Sequence, residues 1–106
     1  LKNNLHADGD ENKKGYVLAF LDVHNKEVMA EYKKVTGPII KQHGGKLLAA
    51  SPNPDMKEGY IAGITAIIEF ASLEDARKWY DSQENQQAKA VRDKGVTTIM
   101  ILLEGK

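Results

Sequence analysis

Three stretches of this chain of 106 residues have the composition of β-strands that are apolar on both faces. They are YVLAFLDV at 16–23, YIAGITAIIEF at 60–70 and VTTIMILL at 96–103. Nearly continuous apolar runs rich in β-branched and aromatic residues are typical of strands that are covered on both sides. A fold built from them must therefore bury both faces of one sheet.

A helical pattern follows the first strand. We predict a helix that begins after Asn25, an N-cap residue, and ends near His43, with Gly44 as the left-handed residue beyond it. Pro38 should kink or interrupt this helix, because proline removes an internal hydrogen bond. The apolar stripe of the helix is expected at Val28, Tyr32, Val35 and Ile39.

The second half of the chain repeats the alternation of strand and helix. KLLAA at 46–50 predicts a short strand, and the residues at 51–59 predict a hairpin loop rich in Pro, Asn and Asp. Gly63 marks a bulge or a close approach within the long third strand. Ser72 and Ser82 are the expected N-caps of two successive helical segments, the second of which reaches Arg92.

The predicted order is β-α-β-β-α-β, which indicates an α+β, ferredoxin-like fold with a four-stranded antiparallel sheet and helices on one face. Residues 15–106 would form this single domain, preceded by a disordered polar lead-in at 1–14. The helices cover one side of the sheet only. A second copy that packs sheet against sheet is the economical cover for the other side, so we expect a homodimer through the open face.

Composition limits the partners. The chain has 15 basic and 15 acidic side chains, which argues against a nucleic acid or an anionic membrane surface, and no apolar run is long enough to span a bilayer. It has no cysteine, hence no thiolate nucleophile and no disulfide. The start at Leu1 fits either a mature exported chain or a trimmed one, so the compartment stays open, with the cytoplasm as the default.

Several segments carry a resemblance to a known family. KGYVLAFLDVHNKEVMAEYKK at 14–34, IIKQHGGKLLAA at 39–50, IIEFASLEDARKWYDSQENQQAKAVRD at 67–93 and the closing LLEGK resemble the small bacterial family called domain of unknown function thirteen-thirty. The resemblance implies a dimeric α/β barrel related to antibiotic-biosynthesis-type monooxygenases. It implies no known reaction.

Strand direction sorts the candidate polar residues to two ends of the sheet. Glu69 should share one end with Tyr16, His43, Lys46 and Glu104, while Asp22, His24, Tyr60 and Arg92 should lie at the other. Seven residues of strand span roughly 23 Å, at about 3.3 Å per residue. Glu69 and Asp22 therefore cannot form a catalytic pair within one subunit.

Two readings of these residues remain open. In the first, the chain is a cofactor-independent enzyme or small-molecule binder, with Glu69 or His43 as the proton-transfer group. Its pocket would lie between sheet and helices, with candidate lining residues Tyr16, Asp22, Tyr32, Trp79 and Arg92.

In the second reading, the chain is a non-catalytic dimeric module. Glu69 then pairs with a cation or caps backbone, His43 complements a helix dipole, and Arg92 caps its helix or forms an ion pair in the dimer. This reading predicts a filled core without a cavity. Neither reading includes a metal or cofactor, since Asp22 and His24 are too few for a metal site and Gly44-Gly45 lacks a phosphate-binding motif.

Overall fold

A computed structural model describes residues 13–106; residues 1–12, most of the predicted polar lead-in, lie outside the described residues. Along the chain the elements are β1 (Gly15–Val23), α1 (Lys26–Gln42), β2 (Lys46–Ser51), β3 (Ile64–Phe70), α2 (Leu73–Asp81), α3 (Gln83–Arg92) and β4 (Val96–Glu104). The strands form one antiparallel sheet in the order β2-β3-β1-β4. The predicted ferredoxin-like fold is confirmed, including the two successive helical segments after β3.

Side-chain caps set the helix boundaries where the sequence predicted them. The Asn25 Oδ1 atom accepts from the backbone N–H of Val28 at 3.1 Å. Ser72 and Ser82 accept in the same way from the third residue of α2 and α3. Each cap satisfies a backbone donor that has no partner inside its helix. At the other end of α1, Gly44 has a φ of +80°, the left-handed conformation expected there.

Helix α1 runs without a break through Pro38, so of the two predicted effects of this proline, a kink or an interruption, the interruption is wrong. Gly37 precedes the proline and has no Cβ to collide with the proline ring, which removes part of the usual steric barrier to a helix there. Tyr32 and Ile39 are buried on either side of Pro38. Their packing holds both halves of the helix against the core despite the lost hydrogen bond.

Strand β3 begins at Ile64, four residues later than predicted, and Tyr60 lies in the preceding loop with 83% of its surface exposed. Gly63 is the reason. It has a φ of +86°, and a Cβ at this position would overlap the carbonyl oxygen of Leu21. The chain can turn into β3 beside the end of β1 only because this residue has no side chain, which confirms Gly63 as a point of close approach.

The two faces of the sheet differ in cover. The face beneath the helices buries Val17, Ala19, Leu21, Ala66, Ile68 and Phe70. The strand register places Leu18, Phe20, Ile67, Ile99, Ile101 and Leu103 on the other face, which we call the open face. Ile99 is 58% exposed and Leu103 47% exposed. The described residues 13–106 therefore leave an apolar sheet face uncovered.

The helices cover the sheet unevenly. Helix α2 lies directly on β1, β3 and β4, whereas α1 lies mainly against α3. Beneath α1, Leu47 of β2 points to the helix side of the sheet, since it is paired with buried Ile68, yet it is 57% exposed. The space between α1 and the β2 side of the sheet is thus not filled. Within residues 13–106, no helix combines the length and apolar character of a membrane span.

Candidate functional site

A cavity of about 650 Å³ occupies the space between α1 and the sheet. Its floor is the helix-covered face of the sheet, its roof is α1, and Trp79 of α2 closes one side. The lining residues are Ala19, Leu21, Met29, Tyr32, Lys33, Thr36, Gly37, Ile40, Lys41, Gly45, Leu47, Ala50, Ile64, Ala66, Ile68, Trp79 and Met100. Cavities of this size and apolar character are typical of small-molecule sites.

Small residues create the space. Gly37 faces open space where a Cβ would be, and Ala50 sits beside Leu47 on the exposed β2 edge. Gly45 is the opposite case, because a Cβ there would lie 2.6 Å from Ile40 and 2.7 Å from the Phe70 ring. Glycine at 45 lets β2 begin close beneath the end of α1. Glycine at 37 adds no side chain to the α1 side of the cavity.

Two polar atoms in the cavity wall are buried and have no hydrogen-bond partner among the described residues. They are the Thr36 hydroxyl oxygen and the Trp79 indole nitrogen. Trp79 is 1% exposed, so its N–H has exchanged water for an apolar environment. A buried donor without a partner costs about 1–3 kcal/mol.

Tyr32 links the cavity to a buried cation. Its ring lines the cavity, and the guanidinium carbon of Arg92 lies 5.5 Å from the ring centroid. Arg92 is 4% exposed, its Nη2 donates to the Asp93 carboxylate at 3.5 Å, and its Nε has no partner in the described part of the chain. Arg92 does not itself line the cavity. It supports the position of Tyr32 from α3.

The structure places the candidate pocket residues on two sides of the sheet. Tyr32 and Trp79 line the cavity. Tyr16 and Asp22 alternate with the buried residues of β1, so their side chains belong to the open face.

Glu69 also lies on the open face, at the end of the sheet where strand direction predicted it. The Tyr16 hydroxyl donates to Glu69 Oε2 at 3.3 Å, and Lys46 is the register partner of Glu69 on β2. No side chain of the open face is part of the cavity wall. The cavity and the Glu69 cluster are therefore separated by the sheet itself.

The remaining candidates, His43 and the pair of His24 and Asp22, also lie outside the cavity. His43 is the C-cap residue of α1; its backbone N–H donates to Ile39 and Ile40, and its Nε2 is buried without a partner among residues 13–106. His24 Nε2 lies 2.8 Å from the Thr97 hydroxyl and 3.9 Å from Asp22 Oδ2. In the same part of the chain, no three His, Asp or Glu side chains are grouped as metal ligands would be.

Lys33, Thr36 and Gly37 line the cavity but were not predicted as site residues. The predicted inner stripe of α1 contains Val35, which is 37% exposed in the structure. The face of α1 that lines the cavity is rotated about the helix axis relative to this stripe and includes Met29 and Ile40. A second stripe at 29, 36 and 40, at helical spacing and interrupted by glycine at 37, was the available signal.

The comparisons agree with a ferredoxin-like α+β class. A protein of unknown function from Rhodopseudomonas palustris is 18% identical, with a TM-score of 0.72 over 97% of this chain and 92% of its own. SnoaB, a cofactor-independent oxygenase from Streptomyces nogalater, is 9% identical, with a TM-score of 0.63 over 90% and 94%. A dimeric ferredoxin-like protein of unknown function from Thermobifida fusca is 10% identical, with a TM-score of 0.60 over 88% and 92%.

At these identities the similarity concerns the fold alone. No match was found among curated proteins. Residues 14–106 match the family described as Domain of unknown function (DUF1330). The chain belongs to that family, which confirms the resemblance seen in its sequence.

Proposed function

We propose that this protein binds an apolar small molecule in the cavity between α1 and the sheet. The observation that carries the proposal is a cavity of about 650 Å³ with a predominantly apolar wall between α1 and the sheet. A purely structural module gains nothing from such a space, since an unfilled core loses packing energy. The non-catalytic reading predicted a filled core, and the cavity favours the binder.

Binding accounts for the geometry without a chemical step. Within the described chain, the ionisable residues of the wall are Tyr32, Lys33 and Lys41, and none is a carboxylate or imidazole. Glu69 and His43 thus remain candidates for proton transfer only if a ligand reaches them by another route.

A cofactor-independent enzyme is the second candidate. The observation that favours it is Tyr32, the one buried ionisable residue of the wall within residues 13–106, with a cation over its ring. Tyr32→Phe separates the two, because loss of turnover with retained binding would identify an enzyme.

A homodimer through the open face belongs to the same proposal. Ile99, Ile101 and Leu103 are each more than 40% exposed in the single chain and lie on one face of β4. Monomeric proteins seldom leave a continuous apolar sheet face in water. The T. fusca protein of the same fold is described as dimeric, which supports this arrangement by analogy.

A thermal-shift screen with a matched pair of variants tests the binding proposal. Ala50 lines the cavity, whereas Ala49, the next residue of β2, is paired with Ile67 on the open face. Ala50→Phe should fill the cavity, and Ala49→Phe adds the same group to the other side of the sheet.

We expect apolar compounds that raise the Tm of the wild type and of Ala49→Phe by several degrees. A ligand at 100 times its Kd adds about 2.7 kcal/mol to the free energy of unfolding. The same compounds should leave the Tm of Ala50→Phe unchanged. Equal shifts in all three proteins, or no shift in any of them, would refute binding in this cavity.

A further inference from the structure

The chemistry of the cavity wall indicates which class of molecule it takes, an inference that rests on the proposed function. Most of the wall consists of aliphatic and aromatic side chains from the sheet, α1 and α2. A sugar or nucleotide would lose more hydrogen bonds to water than these groups could replace. The body of the ligand must therefore be apolar.

The charged residues of the wall all have the same sign. Lys33 and Lys41 lie on α1, eight residues apart with Gly37 midway, so their backbone positions form a row roughly 12 Å long. Among the described residues no Asp or Glu lines the cavity. In a chain with no net charge, this row makes the cavity rim locally positive.

These two lysines also have no acidic neighbour at helical spacing. The residues three and four positions from Lys33 are Met29, Ala30, Thr36 and Gly37, and those around Lys41 are Gly37, Pro38, Gly44 and Gly45. Neither lysine makes an ion pair with another described residue. Lys34, which does not line the cavity, has Glu31 one turn before it. The rim lysines are thus available to an external anion.

The hydrogen-bonding groups of the wall complement acceptors. The ammonium groups of Lys33 and Lys41 and the indole N–H of Trp79 can only donate, and the hydroxyls of Tyr32 and Thr36 can donate as well. A ligand rich in donors, such as an amine, would find few acceptors. A carboxylate would find two cations at the rim.

We propose that the natural ligand is an apolar carboxylic acid, or a molecule with an equally acidic oxygen. Its apolar body occupies the cavity, and its anionic oxygens lie at Lys33 and Lys41. The acid is thus held at its end by two cations of α1 and along its length by the apolar wall.

Isothermal titration with three probes of one shape tests the ligand class: 2-naphthoate, 2-naphthylmethanol and 2-naphthylmethylamine. The acid should bind wild type about tenfold more tightly than the alcohol, since an exposed charge pair contributes up to about 1 kcal/mol and two lysines act together. The amine should bind more weakly than the alcohol. The double variant Lys33→Gln/Lys41→Gln should lower the affinity for the acid to that for the alcohol and leave the alcohol unchanged.

The control is Lys26→Gln/Lys34→Gln, which removes two lysines of α1 that do not line the cavity. It should retain at least most of the preference for the acid. Equal binding of acid and alcohol to wild type, or an equal loss of acid binding in both double variants, would overturn the ligand class while the binding proposal stands. If none of the three probes binds wild type, or Ala50→Phe binds the alcohol as wild type does, the failure lies in the cavity proposal itself.

Discussion

The hydroxyl of Tyr16 donates to the carboxylate of Glu69 at 3.3 Å, across the β1-β3 ladder and on the open face of the sheet. On the neighbouring strand β2, Lys46 is the register partner of Glu69. A phenol, a carboxylate and an amine thus lie at neighbouring register positions on three adjacent strands. The cavity lies on the other side of the sheet, so Glu69 is outside the cavity wall.

Glu69→Gln should therefore leave ligand binding in the cavity unchanged. The amide can still accept from the Tyr16 hydroxyl, so the free energy of unfolding should change by less than about 1 kcal/mol. Trp79 fluorescence titration and urea denaturation measure the two effects. A tenfold or greater loss of affinity in this variant would return Glu69 to the binding site.

Gly63→Ala should destabilise the protein far more than Gly59→Ala. Both glycines have positive φ, +86° and +75°, so each alanine carries the cost of the left-handed conformation, about 1–2 kcal/mol. Only at Gly63 would the new Cβ also overlap the Leu21 carbonyl, whereas Gly59 faces open space. Urea denaturation of the two variants checks this, and equal losses would contradict the close-approach role of Gly63.

Tyr32 should contribute to stability through its ring rather than its hydroxyl. Tyr32→Phe keeps the face that Arg92 contacts at 5.5 Å and should change the free energy of unfolding by less than about 1 kcal/mol. Tyr32→Leu removes the ring beneath a buried guanidinium and should cost roughly 2–4 kcal/mol. The comparison is made by chemical denaturation. Equal losses in both variants would assign the effect to the hydroxyl.

Ile101→Asp should convert the proposed homodimer to a monomer. Ile101 is 42% exposed in the single chain and would be buried if two open faces pack together, where an unpaired carboxylate is costly. Light scattering coupled to gel filtration should give twice the chain mass for wild type and once for the variant. Val35→Asp, which changes a similarly exposed residue of α1, is the control and should stay dimeric. A monomeric wild type would contradict the interface.

The fold was predictable because its signals are local. Alternating strand and helix patterns, the capping residues Asn25, Ser72 and Ser82, and Gly44 after α1 each act within a few residues of chain. The start of β3 was predicted too early because the chain turns at Gly63, where it passes close to Leu21 on another strand. The apolar pattern from Tyr60 to Phe70 does not reveal this tertiary contact.

The candidate site was less predictable than the fold. Tyr32 and Trp79 were identified as aromatic walls, but the roles of Thr36 and Gly37 depend on how far α1 stands from β2, which no local pattern encodes. Glu69 drew attention as a carboxylate at the end of an apolar strand. Which side of a sheet such a residue faces follows from alternation with its buried neighbours Ile68 and Phe70, once the core side is known.

Quenching of Trp79 fluorescence by a brominated apolar acid tests the central claim most directly. Trp79 is the only tryptophan of the chain, it lines the cavity, and a bromine atom quenches it only near contact. With 12-bromododecanoate, we expect saturable quenching in wild type and in Ala49→Phe, and none above the free-solution level in Ala50→Phe. Equal quenching in the three proteins, or none in wild type, would contradict a ligand site between α1 and the sheet.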